Sequence, residues 1–329
     1  MDPQKAGVVV MHIPDGWLSL PVALIAWACT LAALAFALSR FKDHDIRKLS
    51  NIGAISAVIF VAQMFNFPIV GGTSGHLLGA GLATFVVGVP GAIIALFTVL
   101  TVQALVFADG GVLALGANTF NMGLVGVFVA YLFLWLYRKN FHNQEELNEP
   151  AFYGLAFLAS LLSVLVASLV AGLELVLSNQ GALDTSIPAI AFYHLFIGVG
   201  EGLLTVFALV FLVRSEFPLV WFGEHQESSF VDVLRDSNKP LLGLGLVTLV
   251  FGFLALVASS NPDGLEKVGE EYLFGEGSAF DLGFFTDYTF LGFEGLAGTI
   301  LSAVLGFFVV VGILVLPVLF LTERRQQRG

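Results

Sequence analysis

Gly88-Val89-Pro90-Gly91 interrupts an apolar run that covers 77–107, and the reading of that break decides the fold. About 20 residues carry a helix across the hydrocarbon core of a bilayer, so the run is too long for one straight span. Proline lacks the helix-interior N–H and its ring meets the preceding turn, so a bend or a reversal is expected at Pro90. A bend leaves one crossing. A reversal makes two.

Charge placement separates the two cases. Other apolar runs lie at 18–39, 51–70, 117–137, 151–178, 188–213, 240–259 and 296–321. With a reversal, Arg40, Lys42, Arg47, Lys48, Arg138, Lys139, Arg214, Arg235, Lys239, Arg324, Arg325 and Arg328 share one side, leaving Lys5 and Lys267 opposite. Basic residues collect on the cytoplasmic face. The expected fold is therefore an all-α polytopic membrane protein of about nine crossings, N-terminus outside and C-terminus inside. Seven crossings precede the connector 214–239 and two follow it. One arm of the reversal is expected to be tilted, partial or buried, as broken helices are at binding sites.

Composition agrees. Of 329 residues, 57% are hydrophobic and 12% charged, with mean hydropathy +0.90; soluble domains carry roughly 25% charged residues. The single cysteine, Cys29, excludes disulfides within the chain and Cys-rich metal clusters. A net charge of -11 argues against nucleic acid as a partner. The leader 1–10 has Lys5 as its only basic residue, so no cleavable signal peptide is read there and the first apolar run is a resident span.

Three polar loops then meet on the outer side: 11–17, 71–76 and 108–117. The first reads Met11-His12-Ile13-Pro14-Asp15-Gly16-Trp17. At a chain start, an α-amine, the next backbone nitrogen and the His12 imidazole can close fused rings around one cation. A nitrogen-rich tetragonal site suits Ni(II) or Cu(II). The fourth donor expected is His76, in Gly71-Gly72-Thr73-Ser74-Gly75-His76, whose glycines allow close backbone approach. Thr73, Ser74, Asn118 and Asn121 are candidates to orient the imidazoles, with one of the two asparagines alternatively a helix cap. The amine is available only if residues 1–10 are absent or removed.

His194 and Glu201 share a helix face near mid-membrane, where an ionisable group is by default functional, here for transit or coupling. The alternative is a structural pair bonded to a neighbouring helix through Gln63 or Gln103. Glu174, near a helix end, is expected to snorkel, and His44, His142 and His225 to be solvated. Gly53 with Ala57, and Gly198 with Gly202, allow close helix packing, internal or with another subunit. The loop 260–295 is strongly acidic, which either concentrates cations or is merely solvated. No G-x-x-x-x-G-K-[ST] sequence occurs, so any ATP is bound by another polypeptide.

Taken together, Met-His-Ile-Pro-Asp-Gly at 11–16, Gly-Gly-Thr-Ser-Gly-His-Leu-Leu-Gly at 71–79, Gly-Ala-Asn-Thr-Phe-Asn-Met-Gly at 116–123 and His-Leu-Phe-Ile-Gly-Val-Gly-Glu at 194–201 resemble the cobalt/nickel substrate-binding subunit (CbiM/NikM) of energy-coupling factor transporters. Pro262-Asp263-Gly264-Leu265-Glu266 resembles the PDGLE signature of the small companion subunit (NikN), here in the same chain. The resemblance implies a metal-capturing membrane domain over 11–213, the connector 214–239 and a two-helix companion domain over 240–329. It implies Met11, His12 and His76 as metal donors and Ni(II) or Co(II) as transported substrate, with no organic cofactor. The partners implied are a transmembrane coupling subunit, ABC-type ATPase subunits and membrane lipid, in the plasma (inner) membrane of a prokaryote. The chain itself would be a transport subunit, not an enzyme. The rival reading is a stand-alone secondary transporter or channel for divalent cations with Glu201 and His194 as a relay.

Overall fold

In a computed structural model, which describes residues 11–40, 48–141, 147–215, 217, 239–253, 259, 261–272, 288 and 295–326, the run over 77–107 folds back on itself. Helix α1 spans Leu20–Ser39 and α2 Lys48–Gln63; a short hairpin, β1 Phe67–Ile69 with β2 Thr73–Gly75, leads into α3, Ala80–Val106. Within α3, Gly88 takes φ 71° and ψ 176°, splitting it into arms 80–87 and 89–106. A straight helix would hold Gly79 and Gln103 about 36 Å apart. Instead His76 and Gln103 both lie against His12, at 5.3 Å between ring centroids and 3.1 Å between polar atoms. The reversal thus occurs at Gly88 rather than Pro90. A positive φ there suits glycine, and Pro90 falls in the first turn of the second arm, where no N–H is needed. The first arm rises only about 12 Å, so it is the partial, buried arm.

Beyond α3, α4 (Leu115–Thr119) passes through a π-helical segment, Phe120–Gly126, into α5 (Val127–Phe141). Ser163 Oγ donates to Gly126 O at 2.8 Å, a bond from the neighbouring helix at the end of that widened turn. Helix α6 (Glu149–Leu177) begins at Asn148, whose side chain accepts the Ala151 N–H, with a proline in the first turn. Helix α7 (Ser186–Arg214) lies along it. A Cβ at Gly198 would sit 2.8 Å from Leu161 O, and one at Gly202 2.6 Å from the Phe157 ring. These small residues therefore serve internal packing. The chain ends with α8 (Lys239–Phe253), α9 (Gly264–Tyr272) and α10 (Gly295–Gln326).

Among the described residues, five helices are long and apolar enough to cross a bilayer: Leu20–Ser39, Ala80–Val106, Leu115–Phe141, Glu149–Leu177 and Ser186–Arg214. Two shorter apolar helices cover Leu49–Gln63 and Gly298–Leu314. The largest fully buried side chains include Phe60, Phe85, Phe107, Tyr137 and Phe152, which join α2, α3, α5 and α6 in one core. The leader 1–10, most of the connector, much of the acidic loop and His44, His142 and His225 lie outside the described residues.

Candidate metal centre

The polar stretch ahead of α1 is strapped to the loop after α3. Met11 N donates to Asp109 Oδ1 at 3.1 Å. Ile13 exchanges two bonds with the Asn118 amide, N–H to Oδ1 and Nδ2 to carbonyl, both 3.0 Å, and its carbonyl also accepts the Gly111 N–H. Asp15 accepts Val112 N and Ala114 N at 3.0 and 2.9 Å. Trp27 and Thr30 of α1 complete the strap with bonds to the carbonyls of Leu113 and Gly116. With its backbone so fixed, the segment presents His12 to the site. Gly110, at φ +89°, leaves it room, since a Cβ there would lie 2.9 Å from His12 Cβ.

His76 arrives by another route. Gly71 and Gly72, at φ 78° and 69°, form the turn of the β1–β2 hairpin, so their freedom serves the turn rather than approach to a ligand. Gly75 lies against Ile197 of α7, where a Cβ would meet Ile197 Cγ1 at 2.5 Å. Just beyond His76, Glu201 Oε2 accepts Leu78 N at 2.6 Å and Oε1 accepts Gly79 N at 3.0 Å, while Gln63 Nε2 donates to Leu78 O. Glu201 thus caps the short arm of α3. It does not pair with His194, whose Nδ1 bonds Ile190 O at 2.8 Å within its own helix.

The two imidazoles meet edge to face, their planes at 82°, and both are buried, at 3% and 6% exposure. His12 Nε2 lies 3.1 Å from Gln103 Oε1 and 3.8 Å from Asp109 Oδ2. Burial pushes the His12 imidazole below its ordinary value, against the opposing pull of Asp109. His76 Nδ1 lies 3.2 Å from Asp263 Oδ2, an ion-pair contact rather than an aligned hydrogen bond. Burial pushes His76 down too, but Asp263 reverses this and leaves it above its ordinary value. In each ring one nitrogen faces an oxygen acceptor, which leaves the lone pair on the other, Nδ1 of His12 and Nε2 of His76.

Of the residues expected to orient the imidazoles, Asn118, Asn121 and Ser74 spend their side-chain hydrogen bonds elsewhere. Asn118 serves the Ile13 backbone, and Asn121 Nδ2 donates to Glu174 Oε2 at 2.7 Å. Glu174 is buried there and does not snorkel. Ser74 Oγ donates to Asn261 O, and Thr73 Oγ1 is buried without a hydrogen bond. The polar side chains beside the rings are Gln103, Asp109 and Asp263. Asp109 also accepts the Tyr288 hydroxyl, while the Tyr288 ring stacks on Phe107. A polar Gln103 inside an apolar run, and the acid of Asp109-Gly110-Gly111, were the available signals; nothing local pointed to Asp263 or Tyr288.

Every residue of the 262–266 motif has a structural role. Pro262 O accepts Ser74 N at 2.9 Å, and Asp263 Oδ1 caps α9 by accepting Leu265 N and Glu266 N. Glu266 reaches back to Asp263 N, closing a capping box; burial, with Asp263 beside it, pushes the Glu266 carboxyl up to about 7. Gly264 lets α9 approach α7, since a Cβ would lie 2.9 Å from Ile197 and 3.2 Å from the His194 ring. Leu265 packs with Ile13 and Leu18.

Two families match parts of this chain. Residues 12–218 match the family described as the cobalt uptake substrate-specific transmembrane region, and residues 238–323 match the PDGLE domain. A putative fused nickel transport protein of Archaeoglobus fulgidus is 32% identical over 313 residues, covering 92% of this chain and 96% of that protein. A cobalt transport protein of Carboxydothermus hydrogenoformans is 32% identical over 234 residues, covering 66% and 90%. Among solved structures, a transition metal transporter superposes with a TM-score of 0.51 at 32% identity, over 63% of this chain and 94% of that one.

Proposed function

The chain belongs to the cobalt uptake substrate-specific transmembrane family, carries a PDGLE domain as well, and from that premise we propose that it captures nickel or cobalt ions for an ATP-driven importer of the energy-coupling factor type. The observation that carries the reading is the meeting of His12 and His76, ring centroids 5.3 Å apart, where three polar loops converge. Two neutral imidazoles, the His12 backbone nitrogen and an amine at Met11 make a four-nitrogen set suited to a tetragonal divalent cation. The amine requires a mature chain that begins at Met11, with residues 1–10 removed or never made. Asp109, 3.1 Å from that nitrogen, would then face a cationic or metal-bound amine.

In this reading residues 11–213 capture the metal, 214–239 connect, and 240–329 are the companion. The site opens outward, with basic loops and the C-terminus on the inner face of a prokaryotic plasma membrane and about nine crossings between. A transmembrane coupling subunit and a pair of ABC-type ATPases supply the energy for release inward. The stand-alone transporter reading has less support. Glu201 commits both oxygens to backbone amides and His194 Nδ1 bonds its own helix, so the two are not joined as a relay pair.

His12→Ala and His76→Ala test the site. Each is expected to lose bound Ni(II) and Co(II) from the purified protein while its helical content and thermal midpoint stay near those of the parent. Metal content equal to the parent in either variant would overturn the assignment. Uptake into liposomes by this chain alone, driven by an ion gradient, would overturn the dependence on ATPase partners.

A further inference from the structure

His76 and Asp263 lie in parts of the chain that match different families, yet Asp263 Oδ2 sits 3.2 Å from His76 Nδ1 with both side chains buried. The Asp263 side chain has little freedom. Its Oδ1 accepts the N–H groups of Leu265 and Glu266 at 2.9 and 2.8 Å. Its backbone runs beside Ser74 in a parallel bridge, fixed further by Ser74 N to Pro262 O at 2.9 Å and Ser74 Oγ to Asn261 O at 2.7 Å. One oxygen is committed to the helix start. The other lies within 3.2 Å of the imidazole nitrogen.

An ionised carboxylate only accepts, so the ring nitrogen that faces it carries the proton. A proton on Nδ1 leaves the lone pair on Nε2, the form in which an imidazole binds a metal. We propose that Asp263, from the companion segment, is the positioning residue of His76. It holds the ring in the Nδ1–H tautomer with Nε2 ready for the cation, so the capture site is complete only with the companion segment docked. This inference rests on the reading of His12 and His76 as metal donors. His12 takes its orientation from Gln103 and Asp109, at the other end of the site. Each imidazole is therefore set by a different domain, which gives the covalent fusion a chemical consequence: separating the domains removes the acceptor behind His76.

The test uses the full chain and Ni(II) alone. Asp263→Asn keeps the cap, because asparagine and aspartate are equally good at a helix start. It turns an NH2 group toward His76 Nδ1, which must then accept, moving the proton to Nε2. Two results are expected. Ni(II) affinity falls roughly 10- to 100-fold, the usual effect of losing an outer partner of a ligand. In 15N-histidine NMR of the metal-free protein at alkaline pH, His76, identified by its absence in His76→Ala, changes from Nδ1–H to Nε2–H. Asp263→Ser, also a cap but without a carboxylate, stands in should the asparagine variant misfold, and should show the same loss of affinity. Ser74→Ala removes one docking bond and leaves the carboxylate, so it should keep the Nδ1–H tautomer and lose less Ni(II) affinity than the position-263 variants. Unchanged affinity or an unchanged tautomer in the position-263 variant overturns the proposal. So does an equal loss in Ser74→Ala, which would reduce Asp263 to docking alone. If His76→Ala itself retains Ni(II), the reading of the site fails; if only the position-263 variants retain it, this proposal alone fails.

Discussion

His12 and His76 stand edge to face with ring centroids 5.3 Å apart, yet no hydrogen bond joins them, and each ring leans on an acid from a different part of the chain. Two buried imidazoles so close repel when both are protonated. The arrangement favours a shared cation over two separate protons, and it makes the site sensitive to anything that displaces either ring.

Gly110 is the position where displacement is easiest to produce. Its φ of +89° strains any L residue, and a Cβ would press on His12 Cβ at 2.9 Å. Gly72 has a similar φ of +69° but nothing within 4 Å of a Cβ. Both alanine variants should lose about 1 kcal/mol or somewhat more to backbone strain. Only Gly110→Ala should also weaken Ni(II) binding. Titration of both purified variants checks this, and equal affinities would show that His12 tolerates the shift.

Glu201 gives a prediction that opposes its role as a relay. Its carboxylate satisfies two buried amides at the start of the short arm of α3, and leaving a buried donor unsatisfied costs roughly 1–3 kcal/mol each. Glu201→Ala should therefore lower the thermal midpoint markedly and loosen His76 along with Leu78. Glu201→Gln keeps one acceptor oxygen and should be milder in both respects. A relay predicts the reverse pattern, with both variants stable and both inactive.

These residues also show how far the sequence could be read. The pairing of His12 with His76 follows from the chemistry of donors in loops that share one side. Glu201 stands out because an acid in an apolar run is costly, but periodicity places it on a helix face without saying what that face meets. Its partners proved to be backbone amides, which leave no mark in a sequence. Pro90 signals a break correctly and misplaces it by two residues, because proline is at home in the first turn of the arm that follows. The acceptors behind the imidazoles were least legible. Asp263 lies far from His76 in sequence, with α3 to α8 between them, and its motif reads locally as a helix cap, which it also is.

The histidine shifts predict a pH dependence. His76 is held above its ordinary value near 6.5, burial lowering it and Asp263 more than reversing that. A raised folded value means that the His76–Asp263 pair adds stability in full below 6.5, and that this is lost as pH rises through the folded value. In metal-free protein, the difference in thermal midpoint between the parent and His76→Ala should thus shrink from pH 6 toward pH 9. Ni(II) runs the other way, because it competes with the extra proton. Affinity should fall with acidification starting above pH 6.5, before an ordinary histidine would respond. His12, lowered by burial, should not limit binding in that range. A midpoint difference that grows with pH would contradict the assigned pairing.

The start of the chain supplies the sharpest comparison. In the chain numbered from Met1, the nitrogen of Met11 is an amide that donates to Asp109 Oδ1 at 3.1 Å, and an amide is a far poorer ligand than an amine. A chain beginning at Met11 should bind Ni(II) more tightly than the longer one and show the visible absorption of a planar, nitrogen-ligated ion. Acetylating the Met11 amine of that chain should abolish that spectrum without altering the strap, since the bonds of Ile13 and Asp15 to 111–118 do not involve the amine. Asp109→Asn in the shorter chain separates charge from ligation: it should keep the spectrum and weaken retention. If the acetylated chain keeps both spectrum and affinity, the fourth donor is not the amine and must come from elsewhere in the site.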